Sequence, residues 1–182
     1  KCEGGPARQG VEGGVTALEG VWGRGAVDAD GKTGDGAGIH VQIPVPFFYD
    51  QIRRTGHEPA PGQLMAVGQV FLPRTDFGAQ ETCRTIVETE VLRMGYYIYG
   101  WRHVPVNIDV LGEKANATRP EIEQIIIANS KGSDEETFER ELYVIRRRIE
   151  KAAAEAAVAG LYIASLSCRS IIYKGMMLAE QV

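Results

Sequence analysis

The chain has 182 residues, of which 44% are hydrophobic and 24% charged, with a net charge of −4 and 22 glycines as the one compositional excess. A chain this long can bury a proper core as a single domain. The mild acidity and the absence of a long basic run argue against a nucleic-acid partner, and no apolar run approaches the roughly 18 residues that a membrane span requires.

The three cysteines (Cys2, Cys83, Cys168) and three histidines are too few and too scattered for a disulfide framework or a metal centre. With no apolar signal core at the N-terminus, these features point to a cytoplasmic protein without a membrane partner. In chain order, Val11, Val15, Leu18 and Val21 or Trp22 recur at helical spacing, although Gly10, Gly13, Gly14 and Gly20 weaken that helix. A glycine-rich loop follows, then a strand from Ala37 to Ile43, a short helix from Phe47 to Arg54 and a Pro/Gly loop.

Met65 to Leu72 is an apolar run of strand length. Asp76 caps the next predicted helix, whose stripe is Ala79, Cys83, Ile86 or Val87, Val91 and Met94, with Gly95 as its stop. Tyr96 to His103 alternates and is aromatic, hence a strand; Val104 to Pro120 is mostly loop, and Gln124 to Ala128 is a buried strand. Ser133 with Glu136 three positions on reads as a capping box for a helix with Phe138, Leu142, Ile145 and Ile149 on one face. The last two runs, "GLYIASLS" and "RSIIYKG", have no helix between them and predict an antiparallel hairpin. Helices and strand pairs without a regular β-α-β repeat make the fold class α+β, with helices packed on antiparallel sheet.

The loop "GRGAVDADGKTGDGAGIH" contains Gly-Lys-Thr, but Gly25 and Gly31 are separated by five residues rather than the four of a P-loop, and Asp28, Asp30 and Asp35 would repel phosphate. A calcium loop fails too, because Lys32 occupies the third ligand position. A tight glycine turn between helix and strand is the remaining local reading. It leaves the three aspartates without a role.

"GRGAVDADGKTGDGAGIHVQIP", Met65 to Pro73, "ETCRTIVETEVLRMGYYIYGWRHVPVN", "LGEKANATRPEIEQIII", "FERELYVIRRRIEK" and "YIASLSCRSIIYKGMMLAEQ" occur in an order and spacing that resembles the class II glutamine amidotransferase domain of bacterial glutamate synthase large subunits, most of all the alphaproteobacterial form. The resemblance runs from about Val15 to Val182. It implies an N-terminal-nucleophile hydrolase fold, an αββα sandwich of two antiparallel sheets between helical layers, with the present chain, residues 1–182, as an incomplete domain.

The resemblance also implies the chemistry. A cysteine at the mature N-terminus, assisted by its own α-amino group, attacks the side-chain amide of L-glutamine to give a glutamyl thioester and ammonia, and water then releases glutamate. Cys2 is second rather than first and is followed by Glu3, Gly4, Gly5 and Pro6, so matching Pro6 and Glu12 to Trp22 puts the nucleophile upstream of Lys1. The His-Arg-Gly triplet of the family is here Gly23-Arg24-Gly25, and Arg24 is the residue expected near the nucleophile. The arginine that clamps the substrate carboxylate and the Asn-Gly pair of the oxyanion hole fall after Val182, and one oxyanion donor alone is worth about 3–4 kcal/mol of barrier. The expectation is therefore an inert internal fragment of the glutaminase, starting at a processed or incomplete end, that aggregates or leans on a partner chain. A non-catalytic scaffold or regulatory relative is the alternative. Cys83 and Cys168 are expected to be structural thiols. No metal, cofactor or substrate ligand is expected among these residues; FMN and an iron–sulfur cluster are implied for other domains of the large subunit, and a small pyridine-nucleotide-oxidising subunit is the implied partner.

Overall fold

The Met65–Leu72 run forms a strand with all but one of its residues buried, as an apolar segment of that length requires when both faces of a sheet are covered. In a computed structural model that describes residues 7–20 and 26–178, this strand is β2 of six, alongside five helices. The elements in order are α1 (Ala7–Glu19), β1 (Ala37–Gln42), α2 (Val45–Arg54), β2 (Met65–Leu72), α3 (Phe77–Arg93), β3 (Tyr97–His103), α4 (Glu113–Thr118), β4 (Glu121–Ala128), α5 (Glu135–Glu155), β5 (Tyr162–Ser167) and β6 (Ser170–Gly175). The chain divides into two compact units.

The larger unit comprises residues 42–104 and 120–171. Its sheet has the order β3-β4-β2-β5, and every pairing is antiparallel. One face carries Ala66, Val70 and Leu72 of β2, Ile125 and Ile127 of β4, and Ile163 and Leu166 of β5. Cys83, Val87 and Val91 of α3 and Phe138, Leu142, Ile145 and Ile149 of α5 pack with them into one core. Gly68 sits in the middle of this face because a methyl there would come within 2.6 Å of Ile125 Cγ2.

Charge fastens the helices as well. The buried Glu90 of α3 takes Arg148 Nε of α5 at 2.6 Å, and Arg84 of α3 reaches Glu123 of β4 with Nε at 2.8 Å and Nη2 at 2.6 Å. On the opposite face of the sheet the register aligns Ser165, Gln69, Gln124 and Arg102 across all four strands. Gln124 Nε2 donates to Gln69 Oε1 at 2.8 Å, and Arg102 Nη1 donates to Gln124 Oε1 at 2.9 Å.

The smaller unit draws on residues 1–41, 105–119 and 172–182. Here β1 pairs with β6. A methyl on Gly36 would approach Gly175 O and one on Gly38 would approach Tyr173 O, so residue numbers rise along one strand as they fall along the other and the pair is antiparallel.

The α+β reading with antiparallel sheets holds, and β2, α3 and the apolar face of α5 fall where the sequence put them. Three local expectations change. The cap of α5 is Asp134, whose side chain accepts from Thr137 N, because Asn129 already holds Ser133 through its backbone N–H and C=O. The buried polar residues of α3 are Gln80 and Glu90, drawn in by the Arg74 carbonyl and the α5 arginine, while Ala79 and Met94 are only half-buried. The segment from Val104 to Pro120 is mostly loop, as expected, with the short α4 inside it. Finally, β5 and β6 do not form a hairpin: Ser167 Oγ accepts the N–H groups of Arg169 and Ser170, turning the chain so that β5 joins β2 and β6 joins β1.

Candidate functional site

The glycine-rich loop is the segment that sequence reasoning singled out, and from Ala26 to Gly36 it is closed by its own backbone. Asp28 N donates to Thr33 O at 2.8 Å, Gly31 N donates to Asp28 O at 2.9 Å, and Asp35 N donates to Ala26 O at 3.2 Å, around a bridge between Val27 and Gly34. Gly31 adopts φ +69, a left-handed turn position suited to glycine. The loop connects α1 to β1, as the tight-turn reading expects.

The aspartates are spent on the protein itself. Asp30 Oδ1 accepts the N–H groups of Lys32 and Thr33 at 2.9 and 2.7 Å, and its Oδ2 accepts Thr33 Oγ1 at 2.5 Å. These donors, led by the Thr33 hydroxyl, hold the Asp30 carboxyl well below the usual carboxylate range. Asp28 Oδ2 takes Lys114 Nζ at 2.6 Å, which lowers its pKa and raises that of the lysine.

Lys114 belongs to α4, which begins at Gly112 with no side-chain cap of its own. Its orphan N–H groups are met from the glycine loop instead, with Ala115 N donating to Thr33 Oγ1 at 3.3 Å and Lys114 N lying 3.5 Å from Asp30 Oδ2. A methyl on Gly112 would lie 2.7 Å from Thr33 N and closer still to Thr33 Oγ1 and Asp30 Oδ2. The Gly-Lys-Thr run is therefore a capping device, with no carboxylate cluster among the described residues arranged to hold a metal.

A second polar group, absent from the sequence reading, lies on edge strand β3. His57 Nδ1 is 2.9 Å from Thr55 Oγ1, and its Nε2 is 2.7 Å from Tyr97 Oη. Thr55 Oγ1 also donates to Ile52 O at 2.7 Å, so Thr55, His57 and Tyr97 form one chain of contacts at the end of α2. No spacing rule finds such a group, since it joins a helix terminus to a strand about 40 positions later.

The thiols within the described residues point away from nucleophilic work. Cys83 is fully buried in the core, and burial raises its pKa. Cys168 is pushed up to about 12 by burial and by the Glu139 carboxylate, to which it donates at 3.0 Å. An attacking cysteine needs the opposite shift. Arg24, Gly23 and Cys2 lie outside the described residues.

The family model of class II glutamine amidotransferases matches residues 1–182. The chain belongs to the class II glutamine amidotransferases. It is 64% identical over 180 residues, 99% of its length, to the glutamate synthase [NADPH] large chain of Azospirillum brasilense. It is 38% identical over 171 residues to the ferredoxin-dependent chloroplastic glutamate synthase of spinach, Spinacia oleracea, covering 93% of this chain. It is 37% identical over 164 residues to the glutamate synthase [NADPH] large chain of Bacillus subtilis, covering 87%. The chain spans 12%, 10% and 10% of the lengths of these three relatives. Membership in the class II amidotransferases and the antiparallel α+β make-up agree on an N-terminal-nucleophile hydrolase domain.

Proposed function

We propose that this chain is the glutaminase part of a glutamate synthase large chain, which releases ammonia from L-glutamine for reductive transfer to 2-oxoglutarate. The observation that carries the reading is the 64% identity maintained over 99% of the chain with the Azospirillum brasilense large chain. In this reading a cysteine thiolate attacks the glutamine side-chain amide, ammonia departs and water cleaves the resulting thioester. By the family resemblance, Arg24 is the residue assigned to position that nucleophile. In this reading neither Cys83, fully buried in the core, nor Cys168, whose thiol donates to Glu139, is the nucleophile. The 182 residues on their own do not turn over glutamine.

Iron–sulfur clusters are held by cysteine thiolates, typically four. The described cysteines are the core residue Cys83 and the carboxylate-bound Cys168, so these residues do not fit a cluster. FMN and the cluster are assigned to the remaining domains of the large chain, and pyridine-nucleotide oxidation to a small subunit, as the family resemblance implies.

The test is labelling with an electrophilic glutamine analogue, read by intact mass and peptide mapping, with ammonia release assayed alongside. The complete large chain is expected to take one glutamine-protectable label and release ammonia. The 182-residue chain is expected to do neither. A protectable adduct on Cys2 with turnover in the short chain would overturn its assigned inactivity, and a complete large chain without glutaminase activity would overturn the function.

A further inference from the structure

We propose that the Asp35–Gly36 step, and not Asp30–Gly31, is a site of spontaneous main-chain modification, where the aspartyl side chain closes on the next amide to a succinimide and reopens as isoaspartate. The chain has these two Asp-Gly steps and no Asn-Gly step. Both lie in the loop that joins α1 to β1, and the fold treats them in opposite ways.

Ring closure needs a carboxyl group free to swing onto the following nitrogen, a neutral acid as the electrophile, and little bulk on the following residue. Glycine supplies the last at both steps. Asp30 fails the other two. Its Oδ1 accepts the N–H groups of Lys32 and Thr33, its Oδ2 accepts Thr33 Oγ1, and Gly31 N is turned back onto Asp28 O at 2.9 Å. The same bonds keep the carboxyl ionised, the form that gives up an oxygen poorly. Asp28 is held by Lys114, and no glycine follows it. Asp35 is exposed, and its carboxylate has no partner among the described residues. Gly36 is exposed too, at φ +135, a backbone conformation that suits glycine.

In the reaction the Gly36 nitrogen bonds to Asp35 Cγ, and the hydroxyl of the acid leaves as water with the amide proton. A second water opens the ring. Opening at Cγ restores aspartate, whereas opening at the former main-chain carbonyl leaves the chain running through Cβ and Cγ, with that carbonyl now a carboxylate. No reactant other than water is consumed. The main chain is then longer by one carbon, about 1.5 Å. The insertion falls just before β1, where a methyl on Gly38 would already come within 2.6 Å of Tyr173 O of β6.

The test is to age the complete large chain in mildly acidic buffer made with heavy-oxygen water, which leaves one labelled oxygen at each ring opening. Peptide mapping locates the label, and a protease that cuts before aspartate but not before isoaspartate identifies the product. A free peptide of residues 26–38 is the reference, and in it both steps should take up label. In the folded protein Asp35 should label and lose the cut, while Asp30 lags it by at least roughly 10-fold, since each pKa unit by which a carboxyl is held down cuts its neutral form tenfold. Asp35→Glu, which would need a six-membered ring, should abolish the labelled product at that step. Label at both steps in the peptide and at neither in the folded protein would overturn the proposal, because the fold would then shield Asp35 as well. Equal labelling of Asp30 and Asp35 in the folded protein would overturn it too, because the bonds to Asp30 would then select nothing.

Discussion

Replacing Gln69 by leucine keeps the volume of the side chain and removes its carbonyl, which isolates one interaction in the sheet. Gln69 is 1% exposed and Gln124 0%, so the Gln124 Nε2 donor that now reaches Gln69 Oε1 at 2.8 Å would find no water in its place. Leaving a buried donor unsatisfied costs about 1–3 kcal/mol. For a chain of this size that is a fall in Tm of roughly 2–4 °C per kcal/mol. In the double variant Gln69→Leu/Gln124→Leu the donor disappears together with its acceptor, and Arg102 Nη1, whose side chain is half-buried, can turn to solvent. The double variant should therefore be more stable than the sum of the two single losses by about 1 kcal/mol or more. Urea denaturation followed by tryptophan fluorescence measures both quantities. A Gln69→Leu variant within about 0.5 kcal/mol of the parent, or single losses that add in the double, would refute the reasoning that the pair is a sealed unit.

Three further outcomes follow from the same structure. Cys168, pushed up to about 12 by burial and Glu139, should react with iodoacetamide at pH 8 far more slowly than a free thiol, and Glu139→Gln should speed that reaction; equal rates in the two proteins would dismiss the carboxylate as a cause. Leu142→Ala empties a fully buried site between α5 and the sheet and should cost about 2–5 kcal/mol in the same denaturation assay, with a loss under about 1 kcal/mol contradicting the packing. Tyr96, raised to about 12 by burial and its bond to Glu141, lends stability that is complete below the ordinary phenol pKa of about 10 and is lost as pH climbs from there toward 12. Tyr96→Phe should flatten that alkaline limb of the stability–pH curve, and an unchanged limb would show that the phenol is not its source.

What could be read in advance depended on how local its cause was. β2, the Asp76 cap and the Phe138-Leu142-Ile145-Ile149 face are settled by residues a few positions apart, and periodicity finds them. The α5 cap slipped by one residue because Ser133 was a sound local candidate already engaged by Asn129. Partners far along the chain leave no such signature. The hairpin reading of β5 and β6 failed since each strand finds its neighbour elsewhere, and the Asp28 and Asp30 carboxylates had no derivable role until a segment more than 80 positions later was placed against them. Family membership was legible from whole motifs in order, and the match across residues 1–182 bears it out. Arg24 falls outside the described residues, so its role stands on the resemblance.

The borrowed cap of α4 also sets an order of events during folding. A helix of six residues has no independent stability in water, where even a dozen residues are marginal. Its N-terminal amides and its lysine are satisfied by groups 82, 84 and 86 positions earlier, so the helix cannot profit from them until that long loop has closed. The segment 105–119 is then expected to lock as a helix only once the α1–β1 turn has formed and closed against it.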